Sequence, residues 1–363
     1  MILEPDYFTR RAPAGYDLDS VAAALGKFYV TAKRGRCVLE YDLFTGEQLR
    51  EIRPRSGDTG RPVFERPNGI AADGDRALYV VDRDARSVVE LRLPGCEVEG
   101  APFGEDVFVK PYGACVCDST ACSRLLYVTD SRSQEESSSD LGAGAVARAF
   151  RLSRGRPPTR LGGRPPAYLG AVGNAALTGA VGKTESVCAD PYGSVLMLAD
   201  EFARDVKSYT SDGAYQRTEN AYFLGEPEGI CTVSIPGSGW FWVFADQAAS
   251  PEKNSFHASF ESGTLRFRVR GVSGTDGICF APAGACARFP KGALLVLDSD
   301  ERVAVVDARR LTEMLLLPKC LACGSEASYV CGGCRSALYC GHACCDENWP
   351  KHWKTCLELD GRP

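Results

Sequence analysis

Three histidines, three methionines and four tryptophans are spread over 363 residues. No apolar run reaches the roughly 18 residues that a membrane-spanning helix needs, so no membrane partner is expected. The opening Met1-Ile2-Leu3-Glu4-Pro5-Asp6 has neither a basic stretch nor an apolar core, and no export signal is expected from it. Positive charge is in the minority: 42 Lys and Arg stand against 47 Asp and Glu, a formal net charge of -5 with pI near 5.5. Nucleic-acid binding needs clustered positive charge, so nucleic acid is not an expected partner. There is no Ser-His-Asp order, no P-loop and no G-x-G-x-x-G after a strand, which leaves serine-triad acyl transfer and nucleotide hydrolysis without support. What is abundant is cysteine, 17 residues. Without an export signal these read as reduced and intracellular, in cytoplasm or nucleus.

Seven of the cysteines and one histidine crowd into the last stretch, as Cys320-x2-Cys323-x7-Cys331-x2-Cys334-x5-Cys340-x3-Cys344-x7-His352-x3-Cys356. Eight soft ligands suffice for two tetrahedral zinc sites, so two Zn2+ per chain are expected. Ligands two apart suit a tight turn; Cys340/Cys344 and His352/Cys356 are four apart and point from one face of a helical turn toward a common metal. Disulfides are the alternative, but paired C-x2-C spacing is metal spacing. So short a segment buries too little apolar surface to fold alone, and metal binding and folding become one event.

The spacing, with Tyr339-Cys340 and the ending Trp349-x2-His352-x3-Cys356, resembles the MYND-type zinc finger. The resemblance implies interleaved ligands: Cys320, Cys323, Cys340 and Cys344 on one zinc, and Cys331, Cys334, His352 and Cys356 on the other. It also implies a protein partner bound through a short Pro-rich peptide. Cys345 stands where the family usually has Gln, and Trp353 follows the ligand His where Lys is usual; both neighbour the peptide groove.

Before the finger the chain repeats itself at intervals of roughly 45 to 50 residues. Each copy opens on a polar residue, a small one and an apolar run: Asp19-Ser-Val-Ala, Asn68-Gly-Ile-Ala, Tyr112-Gly-Ala-Cys, Glu185-Ser-Val-Cys, Glu228-Gly-Ile-Cys and Asp276-Gly-Ile-Cys. A second strand follows, closing at Ala32, Asp82, Asp130, Asp200, Asp246 and Asp298, and in most copies a third, alternating strand comes next. Six like units of short strands predict a mainly β fold, a six-bladed β-propeller, followed by a small zinc-stabilised finger with short helices. The expected boundaries are 1–312 for the propeller, 313–319 for a linker, 320–356 for the finger and 357–363 for a tail. Residues 1 to 18 are expected to supply an outer strand that closes the ring against the last blade.

Repeat-equivalent positions form rings around a propeller channel. The first is Asp19, Asn68, Tyr112, Glu185, Glu228 and Asp276. Four converging carboxylates repel one another and have raised pKa values unless a cation neutralises them. All-oxygen ligands favour a hard cation, Ca2+ before Mg2+. The plainer alternative is that these carboxylates cap turns. The position after the second strand gives another ring: Lys33, Arg83, Ser131, Glu201, Gln247 and Ser299. Its Lys and Arg, opposite a bound cation, suit a phosphate group.

The words VTAKRGRCVLEYDLFTGE, RPNGIAADGDRALYVVDRD, KPYGACVCD, KTESVCADPYGSVLMLADE, GEPEGICTV and SGTDGICFAPAGACARFPKGALLVLDSD resemble, in this order, the β-propeller phytases and the wider phytase-like family. The resemblance implies calcium bound by Glu185, Glu201, Glu226, Glu228 and Asp276, with Asp19 in a weak form of the family's acidic opening word. It places Lys33 and Arg83 at phosphate-binding positions and Tyr112 at a channel tyrosine, so Glu228, Lys33, Arg83 and Tyr112 are the catalytic candidates. Ser131 replaces a basic residue of the family, although Arg132 is adjacent. Two readings follow: a zinc-finger adaptor whose propeller binds a ligand or partner, or a Ca2+-dependent phosphomonoesterase acting on a phosphate ester. A lactonase-type propeller with one Ca2+ shares the carboxylates without needing Lys33 and Arg83.

Other features receive plain readings. Cys115, Cys188, Cys231 and Cys279 occupy one repeat position that Ala71 also fills, a place for a small buried side chain. His257 and His342 have no partner at a ligand spacing. The segment with Arg151, Arg154, Arg156, Arg160 and Arg164 reads as a solvated loop, and 133–144 as a polar insertion. Leu311 to Leu317 is expected to pack the finger on the propeller or to finish the last blade.

Overall fold

The computed structural model describes all residues except 57–58, 120–122, 132–145, 153–165, 174–179, 220–222, 261–262, 316–318 and 361–363. The polar insertion and most of the Arg-rich loop lie outside the described residues; Arg151 belongs to a strand, Val146–Leu152.

Six sheets follow one another around an axis. Blade 1 runs Leu18–Ala24, Lys27–Ala32, Cys37–Asp42 and Gln48–Ile52. Blade 2 is Pro67–Asp73, Ala77–Asp82, Ser87–Arg92 and Glu97–Val98; blade 3 is Pro111–Ser119, Ser123–Asp130, Val146–Leu152 and Ala167–Val172. Blade 4 is Val187–Ala189, Val195–Asp200, Asp205–Thr210 and Tyr215–Glu219, and blade 5 is Glu226–Ile235, Gly239–Gln247, Ser255–Phe260 and Gly263–Val269. Blade 6 supplies only three strands of its own, Ile278–Ala281, Ala293–Asp298 and Arg302–Asp307.

The N-terminus completes the ring. Tyr7–Phe8 pairs antiparallel with Arg302–Asp307 as the fourth strand of blade 6, and Ile2–Leu3 pairs parallel with Gly263–Val269 as a fifth strand on blade 5. Around this strap Asp307 N–H donates to Asp6 Oδ2 at 2.7 Å, Val303 N–H donates to Thr9 Oγ1 at 3.0 Å, and the Tyr7 hydroxyl donates to Leu43 O at 2.6 Å. Two blade edges that would otherwise be exposed are covered by one short segment.

No blade owns its core. Successive strand residues point to opposite faces, so each central strand feeds two interfaces. Leu196 and Leu198 pack toward blade 3, while Met197 and Ala199 on the same strand pack toward blade 5. Leu294 and Val296 join the blade 5 side, and Leu295 and Leu297 join the blade 1 side. The seam between blades 1 and 2 is built the same way around Tyr29, Leu78 and Val80, and that between blades 2 and 3 around Tyr79, Leu126 and Phe150.

After blade 6 the chain enters helix α1 (Ala308–Leu315), whose Leu311 is fully buried among residues of blades 5 and 6. The cysteine-rich segment follows: a hairpin of Tyr329–Val330 and Leu338–Tyr339, then helix α2 (His342–Asp360), which carries Pro350 and runs on past Cys356. No described helix is long and apolar enough to cross a membrane. Because every interface is shared, Leu198→Ala should cost about 2 to 5 kcal/mol in denaturant unfolding. The same change at exposed Leu49 should stay within about 0.5 kcal/mol.

Candidate functional site

The aspartates that end the second strands are structural. Asp82 accepts from the N–H groups of Glu65, Arg66 and Ala85; Asp130 accepts from Val109 and Lys110. Asp200 accepts from Gly182, Lys183 and Ala203, Asp246 from Leu224 and Gly225, and Asp298 from Ser273. All five are buried. Each one ties the loop that enters its blade's inner strand to the end of its neighbouring strand. Cations on the third strands complete several of them, with Arg148 on Asp130 at 3.0 Å, Lys207 on Asp200 at 2.7 Å and Arg302 on Asp298 at 2.7 Å. His257, without a partner in sequence, is buried with its Nε2 3.3 Å from Asp246.

Where the inner strands converge, four blades leave no room for a side chain after the ring residue, and blades 1 and 4 carry the small Ser20 and Ser186 there. A Cβ on Gly277 would come within 2.7 Å of Asp19 O, and one on Gly229 within 3.0 Å of Asp276 O. Gly69 abuts the carbonyl of Tyr112, and Gly113 that of Glu185. The polar-small repeat word is therefore a packing requirement of the axis.

The channel is a cavity of about 260 Å³ lined by Asp19, Tyr112, Glu185, Glu228 and Asp276, with Cys115, Cys188, Cys231 and Cys279 along its inner strands. Its carboxylates fall into two groups. Glu185, Glu201 and Glu228 each offer an oxygen, and these oxygens lie within 4.8 Å of one another. Lys183, which the repeat words did not single out, sits against them, 3.3 Å from Glu185 and in contact with Glu201. Across the channel Asp19 and Asp276 face Lys33, whose Nζ lies 3.2 Å from Asp17, 3.0 Å from Asp19 and 3.5 Å from Asp276. Gln247 donates to Asp276, and Asn68 donates to Asp19 at 3.3 Å. Arg83 lies over the Tyr112 ring, 4.6 Å from its centroid, and burial, then the neighbouring Glu185, raises the Tyr112 pKa. Glu226 is exposed, Ser131 is buried, and Ser299 pairs with Ser273 at 2.8 Å.

The electrostatics follow from this crowding. Burial, then the neighbouring Glu185, pushes Glu201 up to about 8; burial, then Asp19 and Asp300, pushes Asp276 up to about 9. Burial and then Glu201, Glu185 and Asp276 hold Glu228 well above the carboxylate range. Burial opposes the charge on Lys33, but Asp19 and Asp276 overcome it and raise its pKa. One oxygen of Glu201 is buried with no hydrogen-bond partner, which together with the oxygen donor set fits a hard divalent cation. Lys183 and Asp17 were legible after all: they stand two residues before the first ring, in line with Arg66, Lys110, Glu226 and Gly274. Asp300, beside Ser299 in a left-handed turn, has no such repeat signal.

The C-terminal cysteines and histidine form two sets, Cys320/Cys323/Cys340/Cys344 and Cys331/Cys334/His352/Cys356, each within 4.8 Å. Sulfurs at about 2.3 Å from a tetrahedral zinc stand about 3.75 Å from one another. The separations are 3.6 Å for Cys323–Cys340, 3.4 Å for Cys340–Cys344, 3.6 Å for Cys331–Cys356 and 3.5 Å from Cys334 to His352 Nε2. All described cysteines are free, and both sets could hold zinc. The second set is buried and faces the propeller, where Arg266 N–H donates to Arg335 O at 3.1 Å. A cavity of about 630 Å³ lies between Met1–Glu4, α1 and the segment's Leu321, Leu338 and His352.

No known protein-family description matches the chain. Among solved structures it is similar to the hydrazine synthase of Kuenenia stuttgartiensis, at 13% identity and TM-score 0.53 over 84% of this chain and 80% of that one. It is also similar to regucalcin of Agrobacterium tumefaciens, described as a calcium-binding protein, at 12% identity and TM-score 0.52 over 85% and 96%. A third is a candidate gluconolactonase, at 15% identity and TM-score 0.50 over 84% and 93%. At these identities the likeness is one of fold, the propeller.

The raised carboxylates predict a pH dependence. In the unfolded chain they ionise near 4, at about 3.9 for Asp and 4.3 for Glu, so from pH 6.5 to 9 the native state binds more protons and stability falls as pH rises. Thermal unfolding in chelator should show this decline, and Glu201→Gln should flatten it.

Proposed function

We propose that the chain is an intracellular two-zinc adaptor whose MYND-type finger takes a short Pro-rich peptide and whose propeller binds a calcium ion in its channel. The two interleaved tetrads, with sulfur separations near those of tetrahedral zinc, carry this reading. Trp349 and Trp353 are exposed on α2 at 46% and 39%, four residues apart on one face, and supply aromatic surface for a proline-containing peptide. Cys345 is half-buried beside them in sequence and offers no amide to such a peptide.

A hydrolase is the second reading, favoured by the Glu185, Glu201 and Glu228 group, of which Glu185 and Glu228 line the channel cavity. A calcium ion there would polarise a carbonyl or phosphoryl oxygen and acidify a bound water. Tyr112 neighbours Glu185, and Arg83 over the Tyr112 ring places a positive charge beside that tyrosine. Lys33 is occupied by Asp17, Asp19 and Asp276, which favours lactonase-type chemistry with one cation over a phosphate clamp that needs Lys33.

Metal analysis of replete protein should find two zinc atoms per chain, and Cys334→Ser should remove one; a count of zero or one in the unmutated chain contradicts the finger. With calcium present, release of acid from a small lactone and of phosphate from inositol hexakisphosphate are measured side by side. Hydrolysis lost by at least about a hundredfold in Glu228→Gln supports an enzyme. No turnover of either substrate by folded, calcium-saturated protein leaves the propeller as a binding body.

A further inference from the structure

We infer that Lys183 is an internal competitor for the channel cation, a charged side chain that a divalent ion must displace before Glu185, Glu201 and Glu228 can close around it. The inference rests on the calcium reading above and adds its regulation. The lysine and the cation would use the same carboxylates: Lys183 Nζ is 3.3 Å from Glu185 and in contact with Glu201, two of the three members of the group. Calcium bonds its oxygens at about 2.3 to 2.6 Å, so an ion on these carboxylates would lie beside the ammonium with nothing to separate the two charges.

The surroundings allow one of the two to leave. The backbone of Lys183 is held, since its N–H donates to Asp200 at 3.3 Å and its carbonyl accepts from Glu201 N–H at 3.0 Å. Its side chain is 47% exposed and has solvent to turn into. Lys33 is the contrast within the same channel: it is 11% exposed and tied to three aspartates, a permanent counter-charge. One lysine therefore neutralises its carboxylates for good, and the other does so until a divalent ion arrives.

Calcium titration of the full zinc-loaded chain by calorimetry tests this. Lys183→Met should bind Ca2+ about tenfold or more tightly than the unmutated chain, the scale of one unit charge removed from a few Å away in a partly solvated site. Equal or weaker binding by the variant overturns the inference. Absence of calcium binding in both proteins overturns the calcium reading with it, so the two failures are distinguishable. A second measurement needs no variant: acetylation of Lys183 by a small amine-reactive ester, followed by mass spectrometry, should rise on saturation with Ca2+. Labelling that stays constant or falls while Ca2+ binds overturns the inference independently.

Discussion

The structure depends on a buried carboxylate at the end of each second strand from blade 2 to blade 6. A desolvated aspartate is tolerated only when its oxygens are satisfied, and here backbone N–H groups satisfy them. The donors are the residues that lead into the inner strand of the same blade, such as Glu65 and Arg66 for Asp82 or Gly182 and Lys183 for Asp200. One carboxylate thus fixes where the inner strand starts, and the next residue along, Arg83 or Glu201, opens toward the channel. Blade 1 ends its second strand in Ala32 and does without the pin. Its loop keeps the backbone bond found in other blades, Lys33 N–H donating to Asp17 O at 2.8 Å, and adds the Lys33–Asp17 ion pair, with Asp17 in the left-handed region.

Convergence of the inner strands then imposes the chemistry of the axis. Glycine follows the ring residue in four blades because the next blade's carbonyl occupies the space of a Cβ. The same approach brings carboxylates together in a cavity that lacks the solvent to separate their charges. Two lysines answer this from opposite sides, Lys33 and Lys183, and the protons retained by Glu201 and Asp276 answer the rest. The acidic group is thus in the first place a consequence of the architecture.

Much of this was legible in the sequence because a propeller is one motif repeated. The blade count, the two rings and the strand ends follow from aligning Asn68-Gly, Tyr112-Gly, Glu228-Gly and Asp276-Gly. Contacts that cross the alignment were not legible. Lys33 reads as a free cation in a ring, yet it is closed in by Asp17 and Asp19 of its own blade and Asp276 of the last, a relation that needs ring closure to exist. His257 reads as isolated because its partner Asp246 lies on the neighbouring strand and depends on the register of that pair. The strap was legible only in outline: Tyr7–Phe8 closes blade 6, while the parallel addition of Ile2–Leu3 to blade 5 has no signal in so short a segment.

That second strand of the strap also explains how the cysteine-rich segment sits. Gly263–Val269, the outer strand of blade 5, offers its free edge to Ile2–Leu3 at Arg268 and Val269 and to Arg335 at Arg266. Arg335 directly follows Cys334, so the turn between the two C-terminal tetrads and the N-terminal strap share one strand edge. The tetrad of Cys331, Cys334, His352 and Cys356 is buried behind this contact, whereas Cys323 and Cys340 of the other are exposed. Metal held in the buried set would shape the surface that rests on blade 5, and metal held in the other set would shape the surface that carries the exposed Cys323 and Cys340. The two sites are alike in donor chemistry and differ in what their loss would disturb: the first the seating of the segment on the ring, the second the face it presents outward.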